Sequence, residues 1–242
     1  MTTLLRNFAK KALGVRSWNS DDDQKRLIPG AKTIFDVGAN IGQTAKTYRR
    51  LFPQAEIWSF EPFPGSFSSL CSAVPSAGFH AQPVALSDQI ATTALNIGAV
   101  SITNSLLRRE SDTGRTIEIR TDTIDHFCSD HDISNIDILK VDVEGAEDRV
   151  FRGAEGLFSR QAVRSVFVEV YFRAAYEGMP LFWDLHSQLT EYGFGLHALY
   201  SLIPTGNGAL SFGNALYLQE TSMRRSTAWE VHRNEFADSI AV

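Results

Sequence analysis

The chain is poor in cysteine. Cys71 and Cys128 are the only two, too few for a disulfide framework or a cysteine-based metal cluster, so a reducing, cytoplasmic setting is expected. Long apolar runs are missing as well, and no stretch approaches the ~20 residues that a membrane-spanning helix requires. Positive charge does not dominate. Lys and Arg total 23 against 28 Asp and Glu, a formal net charge of −5, which argues against a general nucleic-acid binder. Internal repeats and low-complexity tracts are absent, and nothing marks a second domain. His80, His126, His131, His186, His197 and His232 show no metal-ligand spacing with one another, so no metal centre is read from them. His197, in the penultimate strand pattern, is the one histidine to consider as a base.

What is present is enough for one large domain: 242 residues, 43% hydrophobic and 21% charged. The reading divides the chain into an N-terminal helical extension and linker over 1–29, a single domain over 30–220, and a polar tail over 221–242. Near the start, Leu4, Leu5, Phe8 and Leu13 share one side of an amphipathic helix pattern. Docking onto the domain and loose contact with a membrane surface both suit it. Arg6, Lys10 and Lys11 interrupt the apolar residues, so a signal-peptide core is not expected. Asn19 to Lys25 is polar and acidic and reads as linker.

From Thr33 onward, strand and helix patterns alternate. Strands are expected at 33–35, 55–60 and 79–86, with helices at 44–52 and 64–74 between them. Two alternating strands, 92–97 and 116–120, then interrupt the order. A short helix at 124–131, a buried strand at 136–141, a helix at 145–158, a strand at 165–170 and a helix at 181–192 follow. The segments 195–203 and 210–218 flank Pro204-Thr205-Gly206-Asn207-Gly208, a hairpin signal. Repeated βα units with a terminal antiparallel pair predict a doubly wound, mostly parallel α/β sheet that binds ligands at the carboxyl ends of its strands.

The chemistry concentrates at those ends. Asp36-Val37-Gly38-Ala39-Asn40-Ile41-Gly42-Gln43 carries the first strand through a glycine turn into a helix N-terminus. Gly38 and Gly42 let a ligand approach the backbone, and the helix start offers unpaired N–H groups. The spacing is neither the Gly-x-Gly-x-x-Gly of dinucleotide binders nor a P-loop. The carboxylate of Asp36 suits a ligand with a cationic amine, a description that S-adenosylmethionine (SAM) meets. Glu61 ends the second strand, where a carboxylate accepts both ribose hydroxyls of a nucleoside, NAD as well as SAM. Ser87 and Asp88 end the third and face either an adenine edge or only a turn.

Lys140-Val141-Asp142-Val143-Glu144-Gly145-Ala146-Glu147 ends the next strand and opens a helix. Acidic residues at a helix start complement the dipole, which suffices for Glu147. Asp142 is placed to contact the ligand's amine or to take a proton from a substrate hydroxyl. Glu169 ends the fifth parallel strand and lines an acceptor pocket with Tyr171, or else forms a buried structural pair. The Asn/Asp-Pro-Pro-Tyr/Phe motif of amino-methylating enzymes and a Pro-Cys nucleophile are both missing, which favours oxygen as the acceptor atom.

Together, Asp36 to Gln43, Phe60-Glu61-Pro62, Val84 to Asp88, Leu139 to Glu147, Val168 to Val170 and Asn214 to Tyr217 resemble the FkbM family of SAM-dependent methyltransferases. The resemblance spans about residues 30 to 220. It implies the Rossmann-like class I sheet of seven strands, SAM as cofactor, and O-methylation of a hydroxyl on a sugar, glycan or natural product. Asp36, Gly38, Asn40 and Gly42 would form the SAM loop, with Glu61 on the ribose. Asp142 and Glu144 would stand at the reaction centre, with Asn104-Ser105-Leu106 as a loop that brings Ser105 near cofactor and acceptor. The base is Asp142, or else Glu144 or His197. A divalent cation on Asp142, Glu144 or Glu169 is an alternative route, although no metal motif indicates it. An NAD-dependent oxidoreductase and a non-catalytic SAM-binding module are the competing readings.

Overall fold

The computed structural model describes residues 19–74, 76–109 and 113–220. The amphipathic pattern at Leu4 to Leu13 and the polar tail lie outside them.

The main sheet has seven strands in the order β3-β2-β1-β7-β8-β10-β9. These are β1 (Thr33–Val37), β2 (Glu56–Phe60), β3 (Phe79–Gln82), β7 (Ile138–Val141), β8 (Ser165–Tyr171), β9 (Phe194–Pro204) and β10 (Leu210–Gln219). β1, β2, β3, β7 and β8 run parallel, and β10 is antiparallel to both β8 and β9. The expected doubly wound sheet and C-terminal hairpin are therefore both present. β4 (Ala85–Leu86), β5 (Ala91–Asn96) and β6 (Thr116–Asp122) form a second sheet in the order β4-β6-β5.

Strand alternation divides the core into two layers. Phe35, Val37, Leu139, Val141, Val166 and Val168 face a layer shared with Phe127, Phe151, Phe158 and Leu185. Ile34, Ile57, Ile138 and Leu216 face the other, shared with Ala45, Tyr48 and Leu51 of the helix Gln43–Leu51. Each buried aliphatic or aromatic side chain contributes roughly 1.5–3 kcal/mol by leaving water.

Four elements differ from the sequence reading. Asn19 to Lys25 is not linker, because Ser20–Leu27 is a helix. The Asn19 side chain caps it by accepting from the Asp21 and Asp22 N–H groups, and three aspartates occupy its first turn. Its Gln24 accepts from the Tyr48 hydroxyl at 3.0 Å and its Asp23 from the Tyr200 hydroxyl at 2.8 Å, which anchors it to the domain. The single strand expected over 79–86 divides at Pro83, which has no N–H to donate to a ladder; Ala85–Leu86 joins the second sheet instead. The helix expected over 145–158 breaks into Glu147–Arg152 and Glu155–Ser159. Gly153 lies between them, where a Cβ would run into the Ser87 carbonyl. Finally, the helix expected over 64–74 ends early, at Cys71.

Candidate active site

The carboxyl ends of β1, β2, β7 and β8 open onto a cavity of about 340 Å³, within the size range of small-molecule sites. Its wall includes Gly38, Asn40, Glu61, Ser105, Asp142, Glu144 and Glu169. Seven residues from five separate stretches of sequence are thus brought to one space. Leu86, Leu95 and Ile102 add an apolar side from the second sheet and the loop after β5.

The glycine turn is held from below. Gly38 has φ +76, and a Cβ there would run into the Asp142 carbonyl, so β1 and β7 approach this closely only with glycine. The Gly38 and Ala39 N–H groups donate to the Phe60 carbonyl at 3.1 and 3.0 Å. Asn40 is left-handed at φ 47; its N–H donates to Glu61 Oε2 at 2.8 Å, and its side-chain oxygen accepts from the Ser66 hydroxyl at 2.9 Å. Glu61 Oε1 accepts from the Phe63 N–H at 2.8 Å. Each Glu61 oxygen thereby has one backbone donor and keeps a lone pair for a ligand. Burial pushes the Glu61 carboxyl up, and the Phe63 and Asn40 N–H groups pull it back. Gln43 and Thr44, at the start of the following helix, also line the cavity.

Several residues singled out from sequence do not line it. Asp36 is fully buried. Its β1 register neighbours are Ser59 and Lys140, and Lys140 Nζ lies 3.1 Å from Asp36 Oδ1. The cation that Asp36 meets is therefore internal, because its side chain alternates into the layer beneath the helix and away from the strand end. Gly42 (φ +88) packs against Leu70 and Ala73. Ser87 is buried, with its hydroxyl turned to Asp88, and Asp88 reaches Arg152 at 3.4 Å. The preceding Ala85 and Leu86 line the wall in their place. His197 lies on β9, separated from β8 by β10, and is not part of the wall.

Lys140 does line the cavity, and it is buried. It donates to the Gly38 carbonyl at 3.0 Å and lies 3.6 Å from Asp142 Oδ2. Burial alone would lower its pKa, but Asp36 and Asp142 hold it above the ordinary lysine value. The sequence signal was available: a lysine inside the apolar strand Ile-Leu-Lys-Val requires a buried partner.

Beyond Lys140 the site turns acidic. Asp142, Glu144 and Glu169 each present an oxygen within 4.8 Å of the others, a set that could hold a divalent cation. Asp142 is the open member, its side chain 38% exposed. Glu144 is left-handed at φ 57, a strained conformation for glutamate. Three hydroxyls hold it there. Tyr171 and Tyr176 donate to its Oε2 at 3.1 and 2.5 Å, and Ser105 donates to its carbonyl at 2.6 Å. Burial raises the Glu144 carboxyl, which the Tyr176 hydroxyl opposes. Glu169 goes furthest. Burial, then the charges of Asp142 and Glu144, push it up to about 9, and its Oε2 is buried without a hydrogen-bond partner. Glu147, raised to about 7 by burial, accepts from the Val143 and Gly145 N–H groups and so ties down the loop that carries Glu144. Tyr176 was not anticipated; it sits in no motif, and only folding brings it here. Asn104 belongs to the Asn104-Ser105-Leu106 loop that the resemblance places near cofactor and acceptor. Asn104 lines the wall, accepts from the Gly98 N–H at 3.0 Å, and has a buried amide nitrogen without a partner.

Comparison with known proteins converges on one family. The "Methyltransferase FkbM domain" model matches residues 36–196. The 31-O-demethyl-FK506 methyltransferase FkbM of Streptomyces tacrolimicus is 28% identical over 176 residues, covering 60% of this chain and 67% of that protein. Methyltransferase 1 of Beauveria bassiana is 30% identical over 150 residues, covering 53% of this chain and 60% of that protein. The 2-O-methyltransferase NoeI of Sinorhizobium fredii is 25% identical over 199 residues, covering 73% of this chain and 80% of that protein. The main sheet has the seven strands that the resemblance implies, five of them parallel, with a C-terminal antiparallel hairpin.

Proposed function

The chain belongs to the FkbM family of methyltransferases, and from this we propose that it transfers the SAM methyl group to a hydroxyl of a small molecule, sugar, glycan or natural product. The observation that carries the reading is the joining of two unlike halves in one cavity. A glycine turn with a buried carboxylate that keeps free lone pairs stands beside a cluster of three carboxylates.

The residues fit SAM. Glu61 would accept the ribose hydroxyls through its remaining lone pairs, with the start of the helix Gln43–Leu51 offering N–H groups beside it. The Asn104 amide nitrogen is a further donor without a protein partner. Bound SAM supplies a methyl group on a positively charged sulfur. Asp142 takes the acceptor's hydroxyl proton, being the exposed carboxylate of the cluster. Lys140, near its Oδ2, leaves Oδ1 to receive that proton. Glu169 stays protonated at neutral pH and offers a hydrogen bond to the acceptor rather than a negative charge. Glu144, clamped by two tyrosines, fixes the geometry of the pair. Lys140 is the one cationic side chain among the described residues lining the cavity, and carboxylates already surround it. The reacting end of the acceptor is accordingly not anionic. We place the domain at 30–220, with the helix Ser20–Leu27 docked against it.

Calorimetric titration with SAM, S-adenosylhomocysteine and NAD tests the reading. The first two should bind and, at about 100-fold over their dissociation constants, stabilise the fold by roughly 2.7 kcal/mol. Binding of NAD alone would refute it. Methyl transfer that stops on chelation and returns with magnesium would move deprotonation from Asp142 alone to a cation on the cluster.

A further inference from the structure

The sheet face that carries Glu169 changes character beyond the cavity wall. Glu169 and Tyr171 share a face of β8, two residues apart. Phe212 of β10 is the register partner of Tyr171, and their rings stack at 5.7 Å. β8 ends at Tyr171, but β9 and β10 continue as a two-stranded arm. On β9, Ile203 is the partner of Phe212, and on β10, Leu210 lies beyond Phe212 across a further register shift, opposite Pro204. Leu210 is 39% exposed and Ile203 44%. The arm is also bent. Ser201 has φ 48, and the β9–β10 register slips between the Phe212 and Asn214 pairs, as at a β-bulge that redirects a strand beside a site.

We propose that the acceptor carries an apolar body, and that this body lies along the arm over Phe212, Ile203 and Leu210 while its hydroxyl reaches the carboxylates. The arm extends the β10 ladder by two to three residues, on the order of 7–10 Å. That length fits a short alkyl chain or one face of a fused-ring body. The strip is tied to the cavity through the buried Tyr171, whose ring stacks on Phe212 and whose hydroxyl donates to Glu144 of the wall. It is too small for a second copy of the chain, since a stable interface buries roughly 1,000 Å² or more. The placing of the hydroxyl rests on the methyl-transfer reading; the apolar contact does not.

The test uses the full chain loaded with S-adenosylhomocysteine, and as probes n-octyl β-D-glucopyranoside below its micelle-forming concentration and D-glucose. Saturation-transfer NMR should place the octyl protons against the protein, with the glycoside binding about tenfold or more tighter than glucose. Ile203→Asp/Leu210→Asp should abolish that difference and leave S-adenosylhomocysteine affinity unchanged. The milder Ile203→Ser, at an exposed position, should reduce it. Equal binding of the two probes, binding of neither, or undiminished glycoside binding by both variants would overturn the proposal. A dimer that the double variant dissociates would overturn it too, by assigning the strip to a second copy. Failure to bind S-adenosylhomocysteine, with the octyl contact intact, would refute only the methyl-transfer reading.

Discussion

At the ends of β1 and β2 the carboxylate is satisfied. Glu61 holds one backbone N–H on each oxygen, and those N–H groups belong to the glycine turn and to the loop after β2. At the ends of β7 and β8, on another wall of the same cavity, carboxylates crowd one another. Asp142, Glu144 and Glu169 lie within 4.8 Å, one buried oxygen has no partner, and the glutamate between two tyrosines is held left-handed. The first region is a rigid receptor built from backbone. The second stores electrostatic strain that the rest of the fold must sustain, as reaction centres commonly do. Binding and chemistry are therefore expected to fail separately.

Asp142→Asn should separate them most sharply. It preserves shape and removes charge, so methyl transfer should fall on the order of 100-fold or more, about 2.7 kcal/mol, at near-constant SAM affinity. Single-turnover rates beside calorimetry would show this, and a loss confined to affinity would place Asp142 in the receptor half instead.

Glu61→Ala should do the converse. S-adenosylhomocysteine affinity should weaken by roughly 1.5–3 kcal/mol as charge-assisted bonds are lost. The Asn40 and Phe63 N–H groups also lose their acceptor, so the melting temperature should fall by a few degrees even without ligand. Glu61→Gln should spare much of that stability while still weakening the ligand.

The strain in the acidic half has a pH signature. Glu169 titrates at about 9 in the folded chain against 4.5 as a free carboxyl. The folded state therefore binds more protons than the unfolded one between those values, and stability falls as pH rises through that window. Glu169→Gln cannot ionise. It should be more stable than the parent at pH 8–9, by about 1 kcal/mol or more, with the gap closing towards pH 5. Melting curves over pH 5–9 would measure it, and parallel curves for the two proteins would remove Glu169 as the source.

The smallest effect should come from Tyr176→Phe. It removes one donor to Glu144, for about 1 kcal/mol of stability. Because that hydroxyl holds the Glu144 carboxyl down, its loss should move the Glu144 titration, followed by carboxyl NMR, to higher pH. An unmoved titration would mean that Tyr176 only packs.

Local chemistry made much of this legible in advance. Alternating β-rich and helical segments predict a doubly wound sheet, because period and length are properties of the chain itself. The glycine turn, Glu61, Asp142, Glu144 and Glu169 all stand where a strand ends, which places them at one edge of any such sheet. The linker at Asn19 to Lys25 misled because the cap and charge pattern of a short helix are weak signals, and its contacts, Tyr48 and Tyr200, are remote in sequence.

What only the tertiary structure decided is which side each strand-end residue turns to, and what meets it there. Asp36 and Asp142 look alike as strand-end carboxylates. The first alternates inward against Lys140, while the second opens on the cavity. Tyr176 and the arm over Phe212 enter only through long-range packing. The sequence by itself determines the strands, the turn and the set of carboxylates. Their partners, and hence their charge, depend on which residues the sheet order makes neighbours, and the energy of a buried charge is set by its neighbours rather than by its own identity.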